Sequence, residues 1–274
     1  MRLIPLLLGA CCLWAQDAPD QPLPAGDPPQ VGVPEQRGAV MGFVHDTASD
    51  LGSYVTAPLR FDGRDWLVFG AVTGSIVGLG IAFDDNARQE SQEDRTSTKD
   101  RIADNFNPIG TAASLAYLGV AWGIGLTTGS QTANHLARDG LEATIIASGI
   151  ICPIVKLVAG RTRPDNEDPD SWQPFSGNYS FPSGHTTQAF ALASVTAFTF
   201  DDQPLIGAFS FLVAACVGAA RINGNDHYLS DVLTGAALGT TVGWHVVERN
   251  RSRRTALEPQ VSFAPDRIGL DWRF

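Results

Sequence analysis

The sequence predicts an all-α protein, a helical bundle of about six core helices followed by a short C-terminal β-hairpin or strand pair. Three observations carry this. Six apolar runs, at about 66–83, 109–128, 141–158, 186–200, 205–220 and 228–247, are each long enough to form a helix. The connections between them hold turn and breaker residues. Strict apolar–polar alternation occurs at the C-terminus, at Val261 and Phe263 and again at Ile268, Leu270, Trp272 and Phe274, with Pro265-Asp266 between.

The elements follow in order. Arg2 precedes the apolar stretch Leu3–Trp14, which is too short to span a bilayer and suits a signal peptide over residues 1–15. Leu8-Gly9-Ala10-Cys11 also fits a lipoprotein cleavage site with Cys11 lipidated, and both readings stay open. Residues 16–40 form a Pro-rich linker (Pro19, Pro22, Pro24, Pro28, Pro29, Pro34) with too little apolar area to fold. A helical catalytic domain is expected over 41–250. It begins with an amphipathic helix over 41–58 that Pro58 ends. Residues 84–108 read as a charged loop. Residues 164–182 read as a loop with four prolines and several aromatics, and Asp201-Asp202-Gln203-Pro204 as a tight connection. Residues 251–274 are left as a tail carrying the strands. The terminal Phe also suits an outer-membrane barrel strand, but two strands cannot close a barrel.

Bulk properties exclude some classes. A net charge of −10 argues against a nucleic-acid partner, which needs a basic face. The one dense basic run, Arg249, Arg251, Arg253 and Arg254, reads as a solvated helix end. Cys152 and Cys216 lie in apolar runs as small core residues. A disulfide between them stays open, and no metal-ligand spacing links the cysteines. The apolar runs are long enough to cross a membrane, but mean hydropathy is zero and the runs are rich in Gly, Ala and Thr. A cleaved signal and three crossings would place the end of the third run in the cytoplasm. The arginines after the sixth run argue for the opposite orientation. The reading adopted is an exported bundle of a bacterial cell envelope, in or against the membrane, with its site facing the periplasm.

Three clusters carry chemistry. The first is Lys156, then six residues, then Arg163-Pro164, with Arg161 between as a weaker candidate. A charge near the end of an apolar run needs a partner. The second is Pro182-Ser183-Gly184-His185, opening the fourth run. A helix N-terminus presents free N–H groups and a positive dipole end to an anion, and Gly184 lets the backbone approach it. His185, in the first turn, is placed to protonate a leaving group. The third is Arg221, His227 and Asp231. His227 and Asp231 are four apart, so on a helix they share a face; a carboxylate on one imidazole nitrogen leaves the other free as a nucleophile. Each cluster alone has an ordinary structural explanation: a snorkelling Lys, a Ser N-cap, a buried His. Together they assemble three cations, a helix N-terminus, two histidines and one carboxylate, which is a phosphate cage with a nucleophile and an acid. No acidic cluster stands beside them to hold a metal. His45, His135 and His245 lack motif partners and read as structural. Trp172, Phe175, Tyr179 and Phe181 either line a substrate entrance or pack their loop.

In order and spacing these motifs resemble the type 2 phosphatidic acid phosphatase superfamily, which also contains bacterial acid phosphatases and vanadium haloperoxidases. The resemblance covers about residues 140–247. It implies a helical bundle with the site at helix ends on one side. It also implies a metal-independent phosphatase with no cofactor that forms a phosphohistidine. Lys156, Arg163, Arg221, Ser183 and the Gly184 amide would hold the phosphate, and His227 would attack phosphorus while Asp231 orients it. His185 would protonate the leaving oxygen. The implied substrate is a phosphorylated lipid, with a soluble monoester as alternative; vanadate enters only in the haloperoxidase alternative. The family has Ser before the third-motif Arg, where this chain has Ala220, which puts the support of Arg221 in question.

Overall fold

The computed structural model describes residues 38–166 and 172–257, together with the backbone of 260–264 and 267–271. The expected signal peptide and nearly all of the Pro-rich linker lie outside these residues. Contacts divide the chain into residues 1–45 and 46–274. Helix α1 is Ala39–Thr56, and Pro58 follows in a 3-10 turn, Ala57–Arg60, as the fixed φ of proline favours.

The segment expected to be a charged loop is helical, which corrects the reading of 84–108. Helix α2 runs Gly63–Glu93, opened by a reciprocal capping box between Asp62 and Asp65. Helix α3, Ser97–Phe106, follows with Thr96 as its cap. Charge was mistaken for a loop signal, but Gln, Glu, Arg and Lys are good helix formers on an exposed face. Helix α4, Ala112–Thr128, ends at Gly129 in the left-handed region, φ 72°.

Helix α5, Gln131–Thr144, begins ten residues before the third apolar run, capped by Ser130. It passes into a π-helical segment, Ile145–Ile151, and then α6, Cys152–Ala159. Pro153 lacks the N–H that an unbroken α-helix would use, so the wider turn falls just before it. Helices α7 (Gly184–Thr199), α8 (Pro204–Asn223) and α9 (Leu229–Leu257) complete the bundle. Two strands follow, β1 Gln260–Ala264 and β2 Arg267–Asp271, paired antiparallel with Phe263 opposite Ile268. The alternation expected of their side chains lies outside the described residues.

The core is the contact of α9 with α7. A Gly235, Gly239, Gly243 stripe on α9 makes it possible. An added Cβ would lie 2.6 Å from Ser183 O at Gly235, 2.3 Å from Thr187 O at Gly239 and 2.6 Å from Ala191 O at Gly243. Around this seam pack Ile146, Ala147, Val195, Val242 and Val246, all buried.

The arginine run is not a solvated helix end, because α9 continues through it to Leu257. Arg249 and Arg253 both pair with the buried Asp50, Arg254 with the buried Asp139 at 3.0 Å, and Arg251 with Asp201 at 2.9 Å. Asn250 bridges Asp139 and Glu142. Cys152 and Cys216 are free thiols.

By length and composition three helical stretches suit a membrane span: Gly63–Glu93, Gln131–Ala159 and Pro204–Asn223. A fourth is added if the bent pair Ser97–Gly110 and Ala112–Thr128 counts as one. Their outer faces expose large apolar side chains, among them Trp66, Phe69, Leu115, Trp122, Leu205 and Phe209. An apolar surface of this extent marks a membrane protein.

Candidate active site

The three motifs meet where α6 and α8 end and α7 and α9 begin. Gly160 ends α6 in the left-handed region, φ 56°, and its N–H returns to Lys156 O at 2.9 Å. No side chain fits there, since a Cβ would lie 1.8 Å from Gln173 O. The strand-like loop that follows is clamped from outside: Gln173 N–H donates to Gly160 O (3.0 Å), Ser180 N–H donates to Arg161 O (3.0 Å), and Arg161 bridges Trp172. Lys156 Nζ donates to Tyr179 O (2.5 Å) and Ser180 O (3.3 Å), so a loop carbonyl pair holds the ammonium at the bundle end.

Ser183 occupies the N-cap position of α7, yet its side chain makes no cap hydrogen bond. Its Oγ instead accepts from Thr186 Oγ1 at 2.9 Å, which leaves the hydroxyl hydrogen to donate elsewhere. The first intrahelical bond is Thr187 N–H to Ser183 O (2.9 Å), so the amides of Gly184, His185 and Thr186 precede it. Ser183 N–H donates to Asp231 O (3.0 Å) and joins the second motif to the third. A Cβ at Gly184 would touch Lys156 Cε at 3.7 Å, which joins the second motif to the first. Gly110 packs directly on His185.

His227 lies in the turn before α9, and Asp231 in its first turn. The expectation that both sit on one helix is corrected to a helix-entry arrangement. They still touch, with His227 Nδ1 3.4 Å from Asp231 Oδ2. The same oxygen accepts from Ser180 Oγ (2.6 Å) and Tyr228 N–H (3.0 Å). Burial holds the His227 imidazole below its ordinary pKa against the opposing pull of Asp231, and the positive charges of Lys156 and Arg221 lower it further. The imidazole is thus held toward its neutral form, in which one ring nitrogen keeps a free lone pair. Burial, then Arg221 and His227, push His185 down to about 4.

Arg221 is held by residues other than its neighbour at 220. Asn107, from the turn after α3, accepts from its Nη1 at 2.8 Å, and Asp226 pairs with its Nη2 at 2.9 Å. Its buried Nε has no partner among the described residues, a donor position open to an anion. Arg163 is partly exposed and 3.7 Å from the same Asp226. The structure therefore brings together Lys156, Arg163, Ser183, Gly184, His185, Arg221, His227 and Asp231. It adds residues the sequence reading missed or undervalued: Ser180, Asn107, Asp226, Asp84, and above all Arg161, which is fully buried against Asp231 and Asp84.

Comparison with known proteins follows the same residues. The PAP2 superfamily matches residues 140–254. Lipid A 1-phosphatase of Rhizobium etli is 36% identical over 110 residues, 38% of this chain and 45% of that protein. Lipid phosphate phosphatase 2 of Arabidopsis thaliana is 31% identical over 140 residues, 39% of this chain and 48% of that protein. The chain thus spans less than half the length of these curated relatives. Among solved structures, Aquifex aeolicus LpxE has a TM-score of 0.49 at 21% identity, covering 61% of this chain and 95% of that one. The match to the PAP2 superfamily spans residues 140–254, which hold every cage and histidine position expected from the sequence.

Proposed function

We propose that this protein is a membrane phosphatase of lipid-linked phosphate esters, working through His227 without a metal. The observation that carries it is the convergence at one bundle end of Lys156, Arg163 and Arg221, the free N-terminal amides of α7, and two histidines of which one rests on a buried carboxylate. The cations and amides would take the phosphate oxygens, with Arg221 Nε donating to one of them. His227 Nε2 forms the P–N bond as the ester P–O bond breaks, and His185 gives its proton to the leaving oxygen. A water oxygen then attacks phosphorus, the P–N bond breaks, and His185 takes the water proton. The free protein holds His185 neutral at pH 7. A dianionic phosphate beside the buried ring, next to Arg221, favours its protonated form and restores the proton that the first step needs.

The apolar exterior motivates a lipid substrate, and so do the matched relatives, which are named lipid A 1-phosphatase and lipid phosphate phosphatase. The arginines of α9 support an orientation in a bacterial envelope: they lie about 27–35 Å from Asp231 at 1.5 Å per residue, roughly a bilayer core away, and by the positive-inside rule this favours a site on the far, periplasmic side. Phosphate release from a panel of detergent-dispersed lipid phosphates and soluble monoesters, in EDTA, tests the reading. Release that survives EDTA and disappears in His227→Ala is the expected result. Release that EDTA abolishes, or that His227→Ala retains, overturns it.

A further inference from the structure

Arg161 was expected to be at most a spare cage residue. Its surroundings exclude that role. Its side chain is fully buried, with Nη1 2.8 Å from Asp231 Oδ1 and 2.6 Å from Ser230 Oγ, and Nη2 2.8 Å from Asp84 Oδ2. Its guanidinium carbon lies 3.9 Å from the centroid of the Tyr228 ring and 4.8 Å from that of Trp172. Asp84 is equally fixed: it accepts from Ser230 N–H at 2.7 Å and from Ser230 Oγ at 2.6 Å. It comes from α2, outside the segment that matches the PAP2 family. Gly80, one turn earlier, permits this approach, because a Cβ there would lie 2.8 Å from Ser230 Cα.

We propose that Asp84 and Arg161 are positioning residues for the His227–Asp231 pair, and that Asp84 keeps Asp231 electrostatically able to stabilise a positive imidazole. The proposal rests on the phosphatase reading above. An arginine bound to Asp231 alone would neutralise it and weaken its hold on the imidazole N–H. Asp84 shares the same guanidinium from its other edge. The two carboxylates and one guanidinium, summed among themselves, then carry a net charge of minus one beside the neutral His227. When His227 Nε2 bonds to phosphorus, the ring keeps its Nδ1 proton and becomes positive, and the group of four reaches neutrality. Asp84 therefore favours the phosphohistidine and the transition states on either side of it over the substrate complex. Interactions of that kind act on kcat rather than on KM. A purely structural ion pair joining α2 to the loop would instead change stability alone.

The test uses the full chain in detergent, with kcat and KM on whichever lipid phosphate wild type hydrolyses, counted per folded molecule after size exclusion. Asp84→Asn keeps the shape and one acceptor oxygen for Ser230. The expected result is a fall in kcat of at least about tenfold with KM within about twofold. Arg161→Lys, which keeps the charge but cannot reach both carboxylates in one plane, serves as the second variant and is expected to behave alike. Either variant, folded and with kcat within about twofold of wild type, overturns the proposal. So does a loss confined to KM. An inactive wild type, or an active His227→Ala, would instead sink the phosphatase reading itself, so the two failures are distinguishable.

Discussion

Replacing Gly239 by alanine is the smallest change that tests the packing described here. The new Cβ would stand 2.3 Å from Thr187 O, 2.7 Å from Ala191 N and 3.0 Å from Phe190 Cβ. Two of these are backbone atoms of α7 and cannot rotate away. A carbon and an oxygen rest at about 3.2 Å or more, so α9 must retreat by roughly 1 Å, which forfeits a quarter to a half of each dispersion contact along the seam. Overpacking of this kind costs about 1–3 kcal/mol, and the rigid neighbours place this case near the top. Alanine regains about 1 kcal/mol of helix propensity, which leaves a net loss of about 2 kcal/mol. For a domain of this size that lowers Tm by about 4–8 °C. Because α7 carries Ser183, Gly184 and His185 at its start, the same retreat should lower kcat by at least about tenfold. Thermal melting in detergent, with Gly78→Ala as reference, measures it. Gly78 has nothing within 4 Å of its would-be Cβ, so that variant should melt at or above wild type. If Gly239→Ala melts with Gly78→Ala and keeps its kcat, the close approach of the two helices is not what holds the core.

Other outcomes follow from the same geometry. Ser180→Ala removes the 2.6 Å hydroxyl bond to Asp231 Oδ2, a bond to a charged group worth about 1.5–3 kcal/mol, and should lower kcat by about ten- to a hundredfold with KM little changed; unchanged kcat would mean that Asp231 is held without it. Sulfate binding at pH 6 should take up protons. Burial, then Arg221 and His227, push His185 down to about 4 in the free protein, so it is neutral there and gains a proton when a bound anion opposes that shift. Calorimetry in two buffers of different ionisation heat reads this, and equal uptake by wild type and His185→Ala would contradict it. Asp139→Asn should cost about 2 kcal/mol, because it strips Arg254 of a two-point partner in a buried setting, while leaving kcat unchanged at a distance of about 25–30 Å from the site. A lowered kcat per folded molecule would show that the two ends of α9 are coupled.

The chemistry was more legible in the sequence than the frame that positions it. Lys156, His185, Arg221 and His227 could be found because charged or nucleophilic residues stood out against apolar runs at fixed spacing. The residues that hold them could not. Asp84 lay in what read as a charged loop, and nothing local says that its helix continues. Ser180 is one serine in a loop of turn residues, and its role exists only because the loop folds back on Asp231. Asn107 replaces the support that Ala220 cannot give Arg221, and it comes from a turn more than a hundred residues away. The early part of α5 was missed for a related reason: Asp139 looks solvated in the sequence but is fully buried, met by Asn250 and Arg254 from α9.

The π-helical segment Ile145–Ile151 has a consequence for how this chain can change. One residue added to or removed from a regular helix turns everything beyond it by about 100°. The wide turns before Pro153 therefore set the angular phase between two halves of one rod: the upstream half fixed by Asp139 and Glu142 against α9, the downstream half by Lys156 at the loop carbonyls. Tightening those turns into regular helix would leave the buried anchors in place and swing the ammonium away from Arg163, Arg221 and the start of α7. The segment thus lets each half answer to its own constraint, and a single-residue deletion within 145–151 would separate a folded bundle from a working one.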